Sequence, residues 1–297
     1  MRRSIVLFVM LMIVLHVRAQ FDAQIGQYMY MQSTYNPAAV GDGDLMRVYG
    51  SHRMDFTGIQ DAPMTTNFSF SSPFVIGKTH HGAGVRLVPM ALKAFGFSNV
   101  FVVPEQAVVD GNFPTVESPN PEERKTMLQA MEWGRKEGAD LVLATDPDAD
   151  RIGVALRTGS GEYVLLNGNQ TLALLLSYQL TRLAERGDLD GNQYAVKTIV
   201  TSQMANAVAA HFGVKCYDCL TGFKYIAKII RENEATAKYI GGGEESFGYL
   251  AGDYVRDKDA VSACALAAEA AAWAKDTMGL TLYEWLQQLY VKYGFYR

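Results

Sequence analysis

Cysteine is scarce in this chain: three in 297 residues, an odd number that builds no disulfide framework. Cys216 and Cys219 form a C-x-x-C, but no second cysteine pair accompanies them. They read as two small residues closing a strand, not as a redox or metal centre. An excess of positive charge is missing too. Lys and Arg number 27 against 31 Asp and Glu, a formal net charge of -4, which speaks against general nucleic-acid binding because that needs a basic face. No internal repeat or low-complexity tract is present. The one long apolar run, residues 5–15, is too short for a comfortable membrane span.

That run has a recognisable setting. Arg2 and Arg3 precede it, and Val17-Arg18-Ala19 ends in a small residue. This is the layout of a secretory signal peptide over residues 1–19, and it predicts export of the chain beyond Ala19. Residues 20–86 are rich in Tyr, Phe, Ser, Thr, Gly and Met. They include the alternating stretch Thr65-Thr66-Asn67-Phe68-Ser69-Phe70-Ser71 and turn signals at Asn36-Pro37, Gly41-Asp42-Gly43 and Ser72-Pro73. Alternation with aromatics predicts β structure of the kind found in outer-membrane barrels.

From residue 87 the texture changes. Strand-like runs at 99–103, 140–144, 194–200 and 214–217 alternate with helical runs at 121–137, 170–186 and 203–212. Strands separated by helices of that length predict an α/β sandwich with a largely parallel or mixed sheet. Asn120 and Gly138 bracket the first helix, Asn169 and Gly187 the second, and Asp259 precedes an Ala-rich helix over 261–275.

The sharpest feature is Thr145-Asp146-Pro147-Asp148-Ala149-Asp150-Arg151, directly after the apolar stretch Leu141-Val142-Leu143-Ala144. Three carboxylates at alternate positions of a tight loop can converge on one hard cation. A calcium EF-hand is excluded: its sixth position would need glycine and its twelfth glutamate, where this chain has Arg151 and Arg157. A second loop, Gly241-Gly242-Gly243-Glu244-Glu245-Ser246-Phe247-Gly248, comes directly after Lys238-Tyr239-Ile240. Its glycines permit close backbone approach. Glu244 and Ser246 can face the same way and hydrogen-bond adjacent sugar hydroxyls.

The first loop resembles the D-x-D-x-D-R magnesium loop of the alpha-D-phosphohexomutases, and the second resembles the G-E-x-S-G sugar loop of the same family. Thr221-Gly222-Phe223-Lys224 is similar to the family's T-G-F-K segment, which meets the substrate. Lys197 sits where the family has a basic residue reaching the active site. Residues 102–122 and 256–259 resemble scaffold of the phosphoglucomutase/phosphomannomutase branch. The resemblance implies two α/β/α sandwich domains, 87–160 as domain two, truncated at its start, and 161–297 as domain three with the start of a linker. It implies Mg²⁺ on Asp146, Asp148 and Asp150, catalytic roles for Arg151 and Lys197, and a hexose phosphate bound by Glu244, Ser246, Thr221, Gly222 and Lys224.

The family's phosphoserine loop, T-A-S-H-N-P-like, has no counterpart here, since no Ser-His-Asn occurs. The expectation is therefore a mutase fragment that is inactive alone. Upstream, Gln27-Tyr28-Met29 with Tyr35-Asn36-Pro37-Ala38, and Asp61-Ala62-Pro63-Met64-Thr65-Thr66, resemble the PorP/SprF family of type IX secretion membrane proteins. Two unrelated families thus meet near residues 78–86, as in a chimera. The localisation they imply conflicts: cytoplasm for the mutase part, cell envelope for the N-terminal part, with membrane contact only through the latter. The second functional expectation is an exported envelope protein carrying the mutase segment as passenger.

Overall fold

The computed structural model describes residues 47–54, 64–71, 75–76, 79–80, 83–108, 110 and 113–296, with those before residue 84 by backbone alone. The expected signal peptide and most of the 20–86 segment lie outside the described residues. The chain divides into two compact units, residues 1–73 and 74–297. In the first, β1 (Arg47–Met54) pairs antiparallel with β2 (Met64–Ser71), Arg47 opposite Ser71 and Met54 opposite Met64. The alternating stretch 65–71 does lie in a strand.

The second unit opens with a short hairpin of β3 (Val75–Ile76) and β4 (Thr79–His80) and helix α1 (Ala83–Ala94). Residues 97–103 form no strand, contrary to the apolar reading of 99–103; Phe101 and Val102 are exposed. Helix α2 (Arg124–Glu137) starts three residues later than expected. The Asn120 side chain accepts from the Glu122 N–H and closes a turn ahead of the helix, and Gly138 ends it in the left-handed conformation.

Next in the chain is a three-stranded sheet, β5 (Leu141–Thr145), β6 (Ile152–Arg157) and β7 (Tyr163–Leu165), antiparallel throughout. The acidic loop is therefore the tip of a hairpin, Thr145 paired with Ile152, and not a strand-to-helix crossover. Six residues suffice to return the chain directly, whereas a parallel neighbour needs a crossover of a dozen or more.

Helix α3 (Gly168–Arg186) begins at a capping box of Asn167 and Gln170 and ends at Gly187. The cap is Asn167, not Asn169. Beyond it lie β8 (Gln193–Thr198), α4 (Met204–His211), β9 (Lys215–Cys219), α5 (Phe223–Asn233), β10 (Lys238–Gly243) and β11 (Tyr249–Leu250). They make the mixed sheet β11-β10-β8-β9, parallel except for the β10–β11 hairpin. The expected mixed α/β character thus belongs to this sheet. Helix α6 (Ala260–Met278), capped by Asp259, and α7 (Leu282–Tyr293) complete the unit.

Strand alternation distributes the core. Ile152, Val154 and Leu156 of β6 pack with leucines of α3, the alanine face of α6 and Trp285 and Leu286 of α7, while Ala155 points to α2 with Met127 and Met131. In β8, Ala195 joins the first of these clusters, and Tyr194 and Val196 join Phe223, Ile226 and Ile230 of α5. Alanines at 260, 263, 267, 270 and 274 are all buried, so α6 approaches closely enough to serve both sheets.

The start of α6 also supports the acidic loop, because the Ala260 N–H donates to the Ala149 carbonyl at 3.0 Å. The Asp259 carboxylate accepts from the Val261 and Ser262 N–H groups. Asp259→Ala should cost about 1 kcal/mol and lower Tm by about 3 °C, read by thermal unfolding; an unchanged Tm would show that the cap contributes nothing to stability.

Candidate functional site

Asp146, Asp148 and Asp150 bring one carboxylate oxygen each within 4.8 Å of one another. The hairpin tip is held from inside. The Asp146 Oδ1 accepts from the Asp150 and Arg151 N–H groups at 3.1 and 3.0 Å. Buried Ala149 sits at φ 58°, a left-handed conformation that costs a non-glycine residue free energy and reverses the chain tightly. Burial, then hydrogen bonding and repulsion from Asp150 and Asp148, push the Asp146 carboxyl up to about 7, against the lowering effect of the Arg151 N–H. Lys258 pairs with Asp150 Oδ2 at 2.8 Å. Asp150 Oδ1 is buried and has no hydrogen-bond partner. Arg151 Nε lies 3.7 Å from that oxygen, too far for a hydrogen bond; three clustered carboxylates, one short of a hydrogen bond and one destabilised as an anion, fit a divalent cation.

The glycine-rich loop is the turn of the β10–β11 hairpin. Glu244 donates its N–H to the Gly248 carbonyl at 2.9 Å, and Phe247 reverses the chain at φ 65°. This loop is stitched to the acidic one: Arg151 and Gly248 form an antiparallel bridge, and the Ile152 N–H donates to the Phe247 carbonyl at 3.0 Å. A Cβ added at Gly248 would lie 2.4 Å from Cδ of Lys258, so a larger residue there would push that side chain aside. Lys258 passes that point, lies 5.8 Å from the Phe223 ring centre and ends on Asp150. The Glu244 side chain is buried and its Oε1 accepts from the Gly222 N–H at 2.8 Å. Ser246 is half-buried.

Asp146, Asp148, Asp150, Arg151, Glu244 and Gly222 are thereby linked through loops and one lysine. Thr221 and Lys224 are exposed at the opening of α5. Arg151 pairs with Glu122 at 3.0 Å, and its Nε lies 3.6 Å from Asp146 Oδ2. Lys197 was expected to reach the active site. It is fully buried in β8, and its ammonium meets Asp218 Oδ1 at 2.7 Å and the Thr201 and Thr198 carbonyls at 3.1 and 3.4 Å. Three donors with three acceptors leave none for a substrate. Lys258 and Glu122 were missed as site residues because their stretches read as scaffold; a lysine flanked by Asp257 and Asp259 was the available signal. Cys216 and Cys219 are free and lie within β9, and burial pushes their thiols up to about 12 and about 11, away from reactive thiolates.

Several known proteins and families match this chain. A family model described as phosphoglucomutase/phosphomannomutase, alpha/beta/alpha domain II, covers residues 60–159, and its domain III counterpart covers 167–293. A third, type IX secretion system membrane protein PorP/SprF, covers 17–95. The phosphoglucomutase of Staphylococcus aureus strain N315 is 38% identical over 220 residues, 74% of this chain and 39% of its own. That of strain USA300 is 37% identical over the same shares. The chain spans about two-fifths of the length of these curated relatives. The crystal structure of a phosphoglucomutase/phosphomannomutase family protein from Burkholderia thailandensis aligns at TM-score 0.49 and 19% identity, over 62% of this chain and 36% of that one.

A cation held by Asp146 would bind in a pH-dependent way. Folded, it takes its proton near 7; unfolded, near 3.8. Its contribution to stability is therefore full below the unfolded value and is lost as pH rises through the folded one. A cation replaces that proton, so saturating Mg²⁺ should raise Tm more at about pH 8 than at about pH 5.5. Equal rises at the two pH values would contradict a site at Asp146.

Proposed function

Residues 60–159 and 167–293 belong to the phosphoglucomutase/phosphomannomutase family as its domains II and III, and we propose that they supply the metal-binding and sugar-binding parts of a phosphosugar mutase site. The observation that carries this reading is the backbone stitch between the acidic and glycine-rich loops, with Lys258 reaching from one to the other. The reaction class is intramolecular phosphotransfer between hexose 1-phosphate and hexose 6-phosphate.

Asp146, Asp148 and Asp150 would hold Mg²⁺, which when bound neutralises charge on a transferring phosphoryl group. Arg151 and Lys258 add fixed positive charge beside that position. Lys258, held between Asp150 and Phe223, is pre-set and needs no reorganisation. Glu244 already spends one oxygen on Gly222; the other, with the Ser246 hydroxyl, orients the sugar through its hydroxyls. Thr221 and Lys224, exposed at the start of α5, form the rim that a substrate meets on entry. Lys197 takes no part in binding.

These groups bind and orient, but none is a phosphoryl donor. We infer that the chain alone holds the hexose phosphate without isomerising it. The test is titration calorimetry of the full 297-residue chain with glucose 1,6-bisphosphate and Mg²⁺, beside a coupled glucose 1-phosphate assay. Binding should occur and weaken roughly 10- to 100-fold in Glu244→Gln, the loss expected for a charge-assisted hydrogen bond. Absent binding would overturn the site. Turnover abolished by Asp148→Ala would overturn the inactivity.

The PorP/SprF match at 17–95 favours a second reading, an envelope protein with the mutase domains as passenger. Among the described residues no helix is long and apolar enough to cross a membrane, which leaves a barrel open. Sedimentation of native protein with outer membranes would support this reading, and a soluble protein would refute it. The overlap of the two family matches at residues 60–95 surrounds the stretch where the two families join. Long-read sequencing of native DNA across it should show a break, and an intact reading frame would refute the chimera.

A further inference from the structure

Glu245, the second glutamate of the glycine-rich loop, is half-buried and joins a polar cluster apart from the partners of Glu244. Its Oε2 accepts from the hydroxyls of Thr198 at 2.9 Å and Thr201 at 3.1 Å. Those two hydroxyls lie 2.7 Å apart. The segment carrying them, at the C-terminal end of β8, is itself fastened. Lys197 donates to the Thr198 and Thr201 carbonyls and is neutralised by Asp218, its direct partner in the β8–β9 register. The Cys219 thiol donates to the Lys197 carbonyl, and the Ser202 N–H donates to Asn169 Oδ1 in the first turn of α3. That same turn supports the loop's backbone: a Cβ added to Gly168 would lie 1.9 Å from the Glu245 carbonyl oxygen.

Glu244 turns one way, to Gly222, and Glu245 the other, to the threonines. The segment is thus gripped from both sides. An anionic acceptor with two hydroxyl donors makes the stronger kind of hydrogen bond, and these lie within one residue of Glu244 and Ser246. A side chain already satisfied in this way is not placed to bind sugar.

We propose that Glu245 is a positioning residue: through Thr198 and Thr201, with Lys197 and Asp218 fixing the segment that carries them, it aims Glu244 and Ser246 at sugar hydroxyls. The inference rests on the proposed sugar site and adds that its affinity depends on a cluster that touches no ligand. It also assigns Lys197 the task of holding carbonyls, not phosphate.

The test uses the full chain and three readouts: glucose 6-phosphate affinity by calorimetry with Mg²⁺ present, Mn²⁺ affinity by electron paramagnetic resonance, and Tm. Glu245→Gln should weaken glucose 6-phosphate binding about tenfold and leave Mn²⁺ affinity unchanged. The double variant Thr198→Val/Thr201→Val should do the same, whereas Thr198→Ser/Thr201→Ser, which keeps both hydroxyls, should stay within about twofold of the parent. Parental affinity in Glu245→Gln would overturn the inference while leaving the sugar site standing. A fall in Tm that takes Mn²⁺ affinity down with it would make Glu245 a merely structural residue and overturn it too. A parent chain that binds no glucose 6-phosphate would defeat the sugar site first, and the inference with it.

Discussion

Backbone contacts at one antiparallel bridge hold this site together: Arg151 is set opposite Gly248, and the Ile152 N–H donates to the Phe247 carbonyl. They join hairpin tips from two different sheets, one antiparallel and one mixed. Side chains alone could not do this. Carboxylates on the first tip repel each other, and two neighbouring glutamates stand on the second. Each loop needs a backbone partner to bring its charge near the other's. The left-handed residues Ala149 and Phe247 are the cost of turning both chains sharply enough to meet, and helix α6 supports the first of them through Ala260.

Charge is then distributed around that stitch. Lys258 and Arg151 stand beside the three aspartates but do not neutralise them: Asp150 Oδ1 keeps no hydrogen-bond partner and Asp146 holds its proton up to about 7. This is a cluster short of positive charge. The second carboxylate pair is divided in the opposite manner. Glu244 is left one oxygen for a ligand, while Glu245 is absorbed by the scaffold. Two adjacent residues of one type acquire different tasks because the turn carries one to the Gly222 N–H and the other to the Thr198 and Thr201 hydroxyls.

Much of this was legible in the sequence, and the parts that were not have physical reasons. The acidic loop declared itself because alternating carboxylates after an apolar strand have few other uses. Gly138, Gly187 and Asp259 end or start helices where expected, since capping is a local property. Asn167 was missed for Asn169, because an asparagine ahead of an apolar run describes either one. Strand direction was not legible: the antiparallel return at 146–151 depends on loop length and pairing, not on periodicity. The burial of Lys197 was not legible, because a lysine in a strand reads as exposed; only the register that sets it opposite Asp218 brings out the ion pair that holds it. Lys258 escaped notice because its importance lies in contacts with Asp150, Gly248 and Phe223, all distant in sequence.

One divalent ion between the stitched loops, on the three aspartates of the first, is the claim on which the functional reading rests. Anomalous diffraction from crystals of the full chain grown with Mn²⁺ tests it directly. The expected result is a single strong peak bonded to Asp146, Asp148 and Asp150. Well-ordered carboxylates with no peak among them, or a peak held by other residues, would contradict it.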